Sequence, residues 1–128
     1  MGTSSYRDLV VWQRAMDLVE DVYRYTRAFP REEMFGITSQ MRRCAISVPS
    51  NIAEGKGRYS RRELTQFLFH ARGSLLELQT QISIAERLRY LDKSSAAHLL
   101  NRSAQVGRML NGLIHCFKEP SSGEPSCP

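Results

Sequence analysis

Gln40-Met-Arg-Arg-Cys-Ala-Ile-Ser-Val-Pro-Ser-Asn-Ile-Ala-Glu-Gly55 decides the fold, because Pro49 stands in the middle of an otherwise helical pattern. Ile37, Met41, Cys44 with Ala45, Val48 and Ile52 fall on one helical face on both sides of the proline. An internal proline removes a backbone hydrogen bond and clashes with the preceding turn, at a cost of about 3 kcal/mol. Apolar spacing that continues through it predicts one kinked helix ending near Glu54 rather than two short ones. Ser47 and Ser50 are placed to satisfy the freed backbone groups, and Thr38 is the expected N-cap.

Working outward, the pattern stays helical and no strand signal of any length occurs. Asp8 is the expected N-cap of a first helix over residues 9–29, which Pro30 stops. Val11, Ala15, Leu18, Val22, Tyr25 and Phe29 form one apolar stripe on it, and Trp12, Met16, Val19, Tyr23 and Thr26 a second beside it. Two stripes exceed what one bundle core needs, so Trp12, Met16 and Tyr23 are candidate contacts with another subunit. Arg14, Asp17, Asp21 and Arg24 read as the solvated face, and Asp8 as a cap.

Ser60-Arg-Arg-Glu63 matches a capping box and predicts a third helix to about Tyr90. Leu64, Leu68, Ala71, Leu75, Leu78, Ile82 and Ala85 repeat in strict four-three spacing along it. Gly73, in mid-helix, predicts close approach of a neighbouring helix. Asp92 is the expected cap of a fourth helix to Phe117, with Ala96, Leu100, Ser103, Gly107, Leu110, Ile114 and Phe117 inward. Short connections make consecutive helices antiparallel. The expected fold is all-α: an up-down-up-down four-helix bundle over residues 1–118, with a polar, proline-rich and disordered tail over 119–128.

Charge is concentrated in one stretch. From Gln40 to Arg62 the cations are Arg42, Arg43, Lys56, Arg58, Arg61 and Arg62, against the single anion Glu54, an excess equal to the net charge of +5 of the whole chain. Phosphate-backbone contact by these six, with Tyr59 stacking on a base, is the leading functional reading, and a solvated surface the bland one. Arginine outnumbers lysine in the cluster, which favours bidentate phosphate contacts. Glu54 is expected to pair with Arg58 or Arg43, and Gly55-Lys-Gly57 to form a helix C-cap and turn.

No catalytic constellation is legible, so a non-enzymatic protein without cofactor is expected. His70, His98 and His115 are too scattered for a local metal site, and no Cys-x-x-Cys occurs. The three cysteines, Cys44, Cys116 and Cys127, have no regular spacing. They point to a reducing compartment, with inert thiols on helical stripes at Cys44 and Cys116. With no apolar leader and no stretch of membrane-spanning length, the expected location is the cytoplasm.

Several motifs resemble one family. Tyr6-Arg-Asp-Leu-Val-Val-Trp-Gln-Arg-Ala-Met16 is similar to its opening motif, and Gln40-Met-Arg-Arg with Ser47-Val-Pro-Ser-Asn-Ile-Ala-Glu-Gly55 to its central signature. Ala71-Arg-Gly-Ser-Leu-Leu-Glu-Leu78 and Arg108-Met-Leu-Asn-Gly-Leu-Ile114 are similar to its last two helices. The family is that of bacterial proteins encoded in intervening sequences of 23S ribosomal RNA genes, and the chain also resembles the accessory variability proteins of diversity-generating retroelements. Arg89, in place of a frequent glycine, and Ser94-Ser-Ala-Ala-His98, where acidic residues are common, depart from the pattern. The resemblance implies an antiparallel four-helix bundle assembled as a homopentamer, without established enzymatic activity. It further implies a nucleic-acid role, with RNA or DNA, or a reverse transcriptase, as partner. An adaptor that binds an acidic partner protein is the alternative reading.

Overall fold

The computed structural model describes residues 5–118, with the side chain of Lys118 excepted. The described residues form four α-helices: α1 (Val10–Thr26), α2 (Ile37–Lys56), α3 (Arg61–Arg87) and α4 (Lys93–Lys118). Short 3-10 turns at Tyr6–Asp8 and Arg31–Glu33 precede α1 and α2. Each helix packs on the next and α1 packs on α4, which closes a ring of four around one core.

The cross-helix contacts run in opposite directions along each pair. Ser47 meets Ser74 and Cys44 meets Gln81; Asp21 meets His98 and Asp17 meets Arg102. As one number rises its partner falls, the signature of antiparallel neighbours. Residues 119–128, expected to form a disordered tail, lie outside the described residues.

Helix α3 shows how sequence becomes packing. All of its predicted stripe but Leu64 is buried, and Ala71, Leu75, Leu78, Ile82 and Ala85 are fully enclosed. Against them lie Ala15, Leu18 and Val22 of α1 and Met41, Ala45, Val48 and Ile52 of α2. Each buried leucine or isoleucine contributes roughly 1.5–3 kcal/mol of transfer free energy. On α4 the inward set is Ala96, Leu99, Ser103, Val106, Leu110 and Leu113, with Ile114. Expected Leu100, Gly107 and Phe117 are only half-buried, because two adjacent stripes share nearly the same period and α3 takes the neighbouring one.

Helix α2 runs unbroken through Pro49, as the spacing predicted. Pro49 is buried beside Val48, and Asn51 Nδ2 donates to the Ser47 carbonyl at 2.8 Å and to Ser47 Oγ at 2.9 Å. Ser47 Oγ also pairs with Ser74 Oγ of α3 at 2.8 Å, whereas Ser50 stays exposed.

Several boundaries differ from expectation for local reasons. Asp8 belongs to the 3-10 turn rather than capping α1: Ser5 is that turn's N-cap, the Asp8 carboxylate accepts from Ser5 N at 3.2 Å, and Leu9 precedes α1 with no side-chain cap. Helix α1 ends at Thr26, not Phe29. Thr38 lies inside α2, buried, because Glu33 reaches forward and accepts from Ile37 N at 3.4 Å, leaving Gly36 as the N-cap residue. Ser60 does cap α3, accepting from Glu63 N at 3.0 Å, and Asp92 caps α4, accepting from Ser95 N at 2.7 Å.

The end of α3 explains a feature of the sequence. Arg89 has a positive φ of 66°, Tyr90 N donates to Ala85 O at 2.9 Å and Arg89 N to Glu86 O at 3.0 Å. Those two bonds close a Schellman motif, whose left-handed position disfavours any residue with a Cβ. Arg89→Gly is therefore expected to stabilise the chain by about 1 kcal/mol, read as a higher urea midpoint at unchanged slope.

A second stabilising change lies in the core. Ser103 is fully buried and its Oγ has no partner among the described residues. An unsatisfied buried hydroxyl costs about 1–3 kcal/mol. Ser103→Ala is expected to raise thermal stability by a few degrees, and a lower melting temperature would show that the hydroxyl has a role the fold needs.

Two charged or small residues behave otherwise than the periodicity suggested. Asp21, assigned to the solvated face, is buried at 4 % exposure. Its carboxylate accepts from Arg24 at 3.1 Å, Arg102 Nε at 3.1 Å and His98 Nε2 at 3.3 Å, so it joins α1 to α4. Gly73 is exposed, with nothing among the described residues within 4 Å of where a Cβ would stand, so none of the described helices approaches it. The close approach occurs instead at Gly55.

Candidate nucleic-acid interface

Gly55 lies inside α2, buried, and does not end the helix; Gly57 is the C-cap. A Cβ at Gly55 would stand 2.8 Å from Phe67 Cβ and 3.3 Å from the Leu64 carbonyl oxygen. Absence of a side chain thus lets the end of α2 press onto the first turns of α3, and that contact fixes the connection between them.

The connection carries most of the basic cluster. Arg58 pairs with Glu54 at 2.6 Å and lays its guanidinium over the Phe67 ring, 4.9 Å from the centroid. Arg61 lies over the Phe117 ring at 5.8 Å, which ties the start of α3 to the end of α4. Lys56, half-buried, borders a small apolar cavity with Leu9, Ile52, Leu64, Leu68, Leu113 and Phe117. Arg62 is exposed and has no ion pair among the described residues. Tyr59 is wholly exposed.

These five residues lie on the connection from α2 and on the first turn of α3. The first N–H groups of a helix lack intrahelical partners, and its dipole adds partial positive charge there. Four cations, a bare aromatic ring and a helix N-terminus share one end of the bundle.

Arg42 and Arg43 do not join them. They sit about 20 Å back along α2, at ~1.5 Å per residue, and project about 100° apart. Arg42 turns toward α1, where its Nε donates to Thr26 Oγ1 at 3.0 Å and its guanidinium covers the Tyr23 ring at 4.6 Å. Arg43 turns toward α3 and borders a polar groove.

That groove was not anticipated from the sequence. Gln40, Arg43, Cys44 and Ser47 of α2 face Ser74, Glu77 and Gln81 of α3 across a space of about 400 Å³. Both sets follow helical spacing, a polar stripe beside each apolar one, and this was the available signal. Burial raises the Cys44 thiol above its ordinary pKa, with a smaller opposing contribution from the Gln81 amide, so the thiol stays protonated and unreactive. Cys116, expected as a thiol, is half-buried on the last turns of α4 and disulfide-bonded.

The candidate subunit contacts also find company within the chain. Trp12 meets Tyr6 edge-on at 5.3 Å and lies under Arg7, and Tyr23 lies under Arg42, while Met16 remains 37 % exposed. An apolar groove of about 480 Å³ opens between the start of α1 and the end of α4, lined by Leu9, Val10, Val11, Met109 and Leu113. Among the described residues no three His, Cys, Asp or Glu side chains gather to hold a metal, and no helix is long and apolar enough to cross a membrane.

Residues 7–112 match the family model described as 23S rRNA-intervening sequence protein. The chain belongs to this family. A solved structure of a protein of unknown function from the S23 ribosomal protein family of Bacteroides thetaiotaomicron VPI-5482 superposes with a TM-score of 0.74. At 21% identity, over 81% of this chain and 97% of that one, the likeness concerns the fold. No curated protein matches. The motifs that carried the resemblance, from Tyr6 through Ile114, lie almost wholly within the matched span.

Proposed function

We propose that this member of the 23S rRNA-intervening sequence family is a non-enzymatic scaffold that binds nucleic acid, assembled as the homopentamer its family resemblance implies. The observation that carries the reading is the end of the bundle at residues 56–62. There Lys56, Arg58, Arg61 and Arg62 lie on the short connection into α3 and on its first turn, beside an exposed Tyr59. Phosphate groups take bidentate hydrogen bonds from guanidinium groups and sit favourably at helix N-termini. Tyr59 supplies a face for one stacked base, which is tolerant of sequence. Apolar surface at Val10 and Met16, with the groove between α1 and α4, supports association of subunits. Assembly would repeat the basic end and add avidity to weak contacts.

The test is fluorescence anisotropy of labelled RNA and DNA oligomers across a salt series. Binding driven by phosphate contacts falls steeply with salt, by a log–log slope of roughly −0.7 per phosphate neutralised on single strands. Absence of binding at low salt would refute the reading and favour an adaptor whose basic end meets an acidic protein.

A further inference from the structure

The polar groove between α2 and α3 is built differently from the rest of the bundle. A helix–helix seam is ordinarily closed by apolar side chains, yet this one has a floor of small polar groups. Ser47 Oγ and Ser74 Oγ pair at 2.8 Å, and the Gln81 amide donates to Cys44 Sγ at 3.5 Å. Gln81 is 8 % exposed and its Oε1 has no partner among the described residues. Buried acceptors are rarely left without a donor. The last torsion of a glutamine is soft, so this oxygen can turn toward the groove.

On the walls stand opposite charges that do not pair. Arg43 on α2 and Glu77 on α3 both border the space and form no ion pair with any described residue. A volume of about 400 Å³ falls in the range typical of small-molecule sites. A ligand that bridges the two walls is therefore polar. It must offer two donors to a carboxylate on one side and two acceptors to a guanidinium on the other.

We propose that the α2–α3 groove binds a single guanine base between Arg43 and Glu77. Guanine presents N1–H and its 2-amino group side by side for a carboxylate, and O6 with N7 for an arginine. Adenine, cytosine and uracil each lack the adjacent pair of donors. The inference deepens the nucleic-acid reading and rests on it for one of two sources of the base: a guanine within a single strand, or a free guanine nucleotide. A guanine preference is thereby added to a basic end that itself reads no sequence.

Calorimetry of the full chain with GMP, AMP, CMP and UMP tests the groove directly. GMP is expected to bind about tenfold more tightly than the other three. In Glu77→Gln the preference should shrink to within twofold, with an unchanged melting temperature. Glu77→Gln removes an anion, so a merely electrostatic role would strengthen every nucleotide alike. Arg43→Gln, on the opposite wall, should reduce the preference too.

Two single-stranded oligomers of equal length, one with a single guanine and one without, separate the sources. Tighter binding of the first identifies a strand as the source, and a preference confined to GMP identifies the free nucleotide. Equal binding of the four nucleotides, no nucleotide binding, or a GMP preference that survives Glu77→Gln overturns the proposal. Salt-dependent oligomer binding without guanine preference in any arm would overturn the groove and leave the phosphate reading standing. GMP preference without oligomer binding would do the reverse.

Discussion

Gly55→Val is expected to destabilise the chain by about 3 kcal/mol or more, enough to consume a large share of a small domain's stability. Even the first added carbon would stand 2.8 Å from Phe67 Cβ, 3.2 Å from Leu64 Cδ1 and 3.3 Å from the Leu64 carbonyl oxygen. Leu64 Cδ1 can move with its side chain, but the Phe67 Cβ and the Leu64 carbonyl cannot swing away, because both are fixed to the backbone of α3. Valine adds two branches to that collision. Relief requires α2 and α3 to separate at this end, which opens the contacts among Ile52, Leu64 and Leu68. Gly55→Ala should cost less, since helix propensity returns about 1 kcal/mol against the same clash. Urea unfolding orders the three proteins: wild type, then Ala, then Val. A valine variant as stable as wild type would show that the helices can part there freely. The glycine was legible in the sequence but its purpose was not. A glycine near the end of a helical pattern reads as a cap, and only the position of Phe67 on another helix makes it a spacer.

The same division between local and cross-helix information runs through the chain. The α3 stripe was legible because its four-three spacing has no competitor on that helix. On α4 two stripes lie one residue apart, and only the approach of α3 and α1 selects Leu99 and Val106 over Leu100 and Gly107, while Leu113 and Ile114 are both buried. Asp21 looked solvated because its own helix places it beside Arg14, Asp17 and Arg24. Its burial is decided by His98 and Arg102, which lie on α4. Arg42 and Arg43 adjoin in sequence and share a helix with Lys56, yet the helix turns them onto different neighbours. The six cations adjoin in sequence, but Arg42 and Arg43 face other neighbours than the positions from Lys56 to Arg62, which lie at the connection between α2 and α3.

Replacing Arg58, Arg61 and Arg62 together by glutamine is expected to weaken nucleic-acid binding by about a hundredfold at 0.1 M salt. If each arginine neutralises one phosphate of a single strand, its loss removes roughly 0.7 from the log–log slope, so three remove about 2. Curves for wild type and variant should then converge near 1 M salt, where counterion release gives no advantage. The loss should be alike for all sequences, because phosphate contacts carry no base information. Stability requires a separate control. Arg58 and Arg61 lie over the Phe67 and Phe117 rings, and Arg58 also pairs with Glu54, so their removal costs the fold something. Exposed cation–π contacts are worth about 0.5–1 kcal/mol each and an exposed ion pair less than about 1. The triple lysine variant keeps the charge and gives up most of the planar stacking. Lysine should preserve the salt slope while sharing part of the loss in stability, whereas glutamine should lose both. An unchanged slope in the glutamine variant would remove this end of the bundle from the interface. A slope lost equally in both variants would mean that the bidentate geometry of arginine, rather than its charge, engages the phosphates.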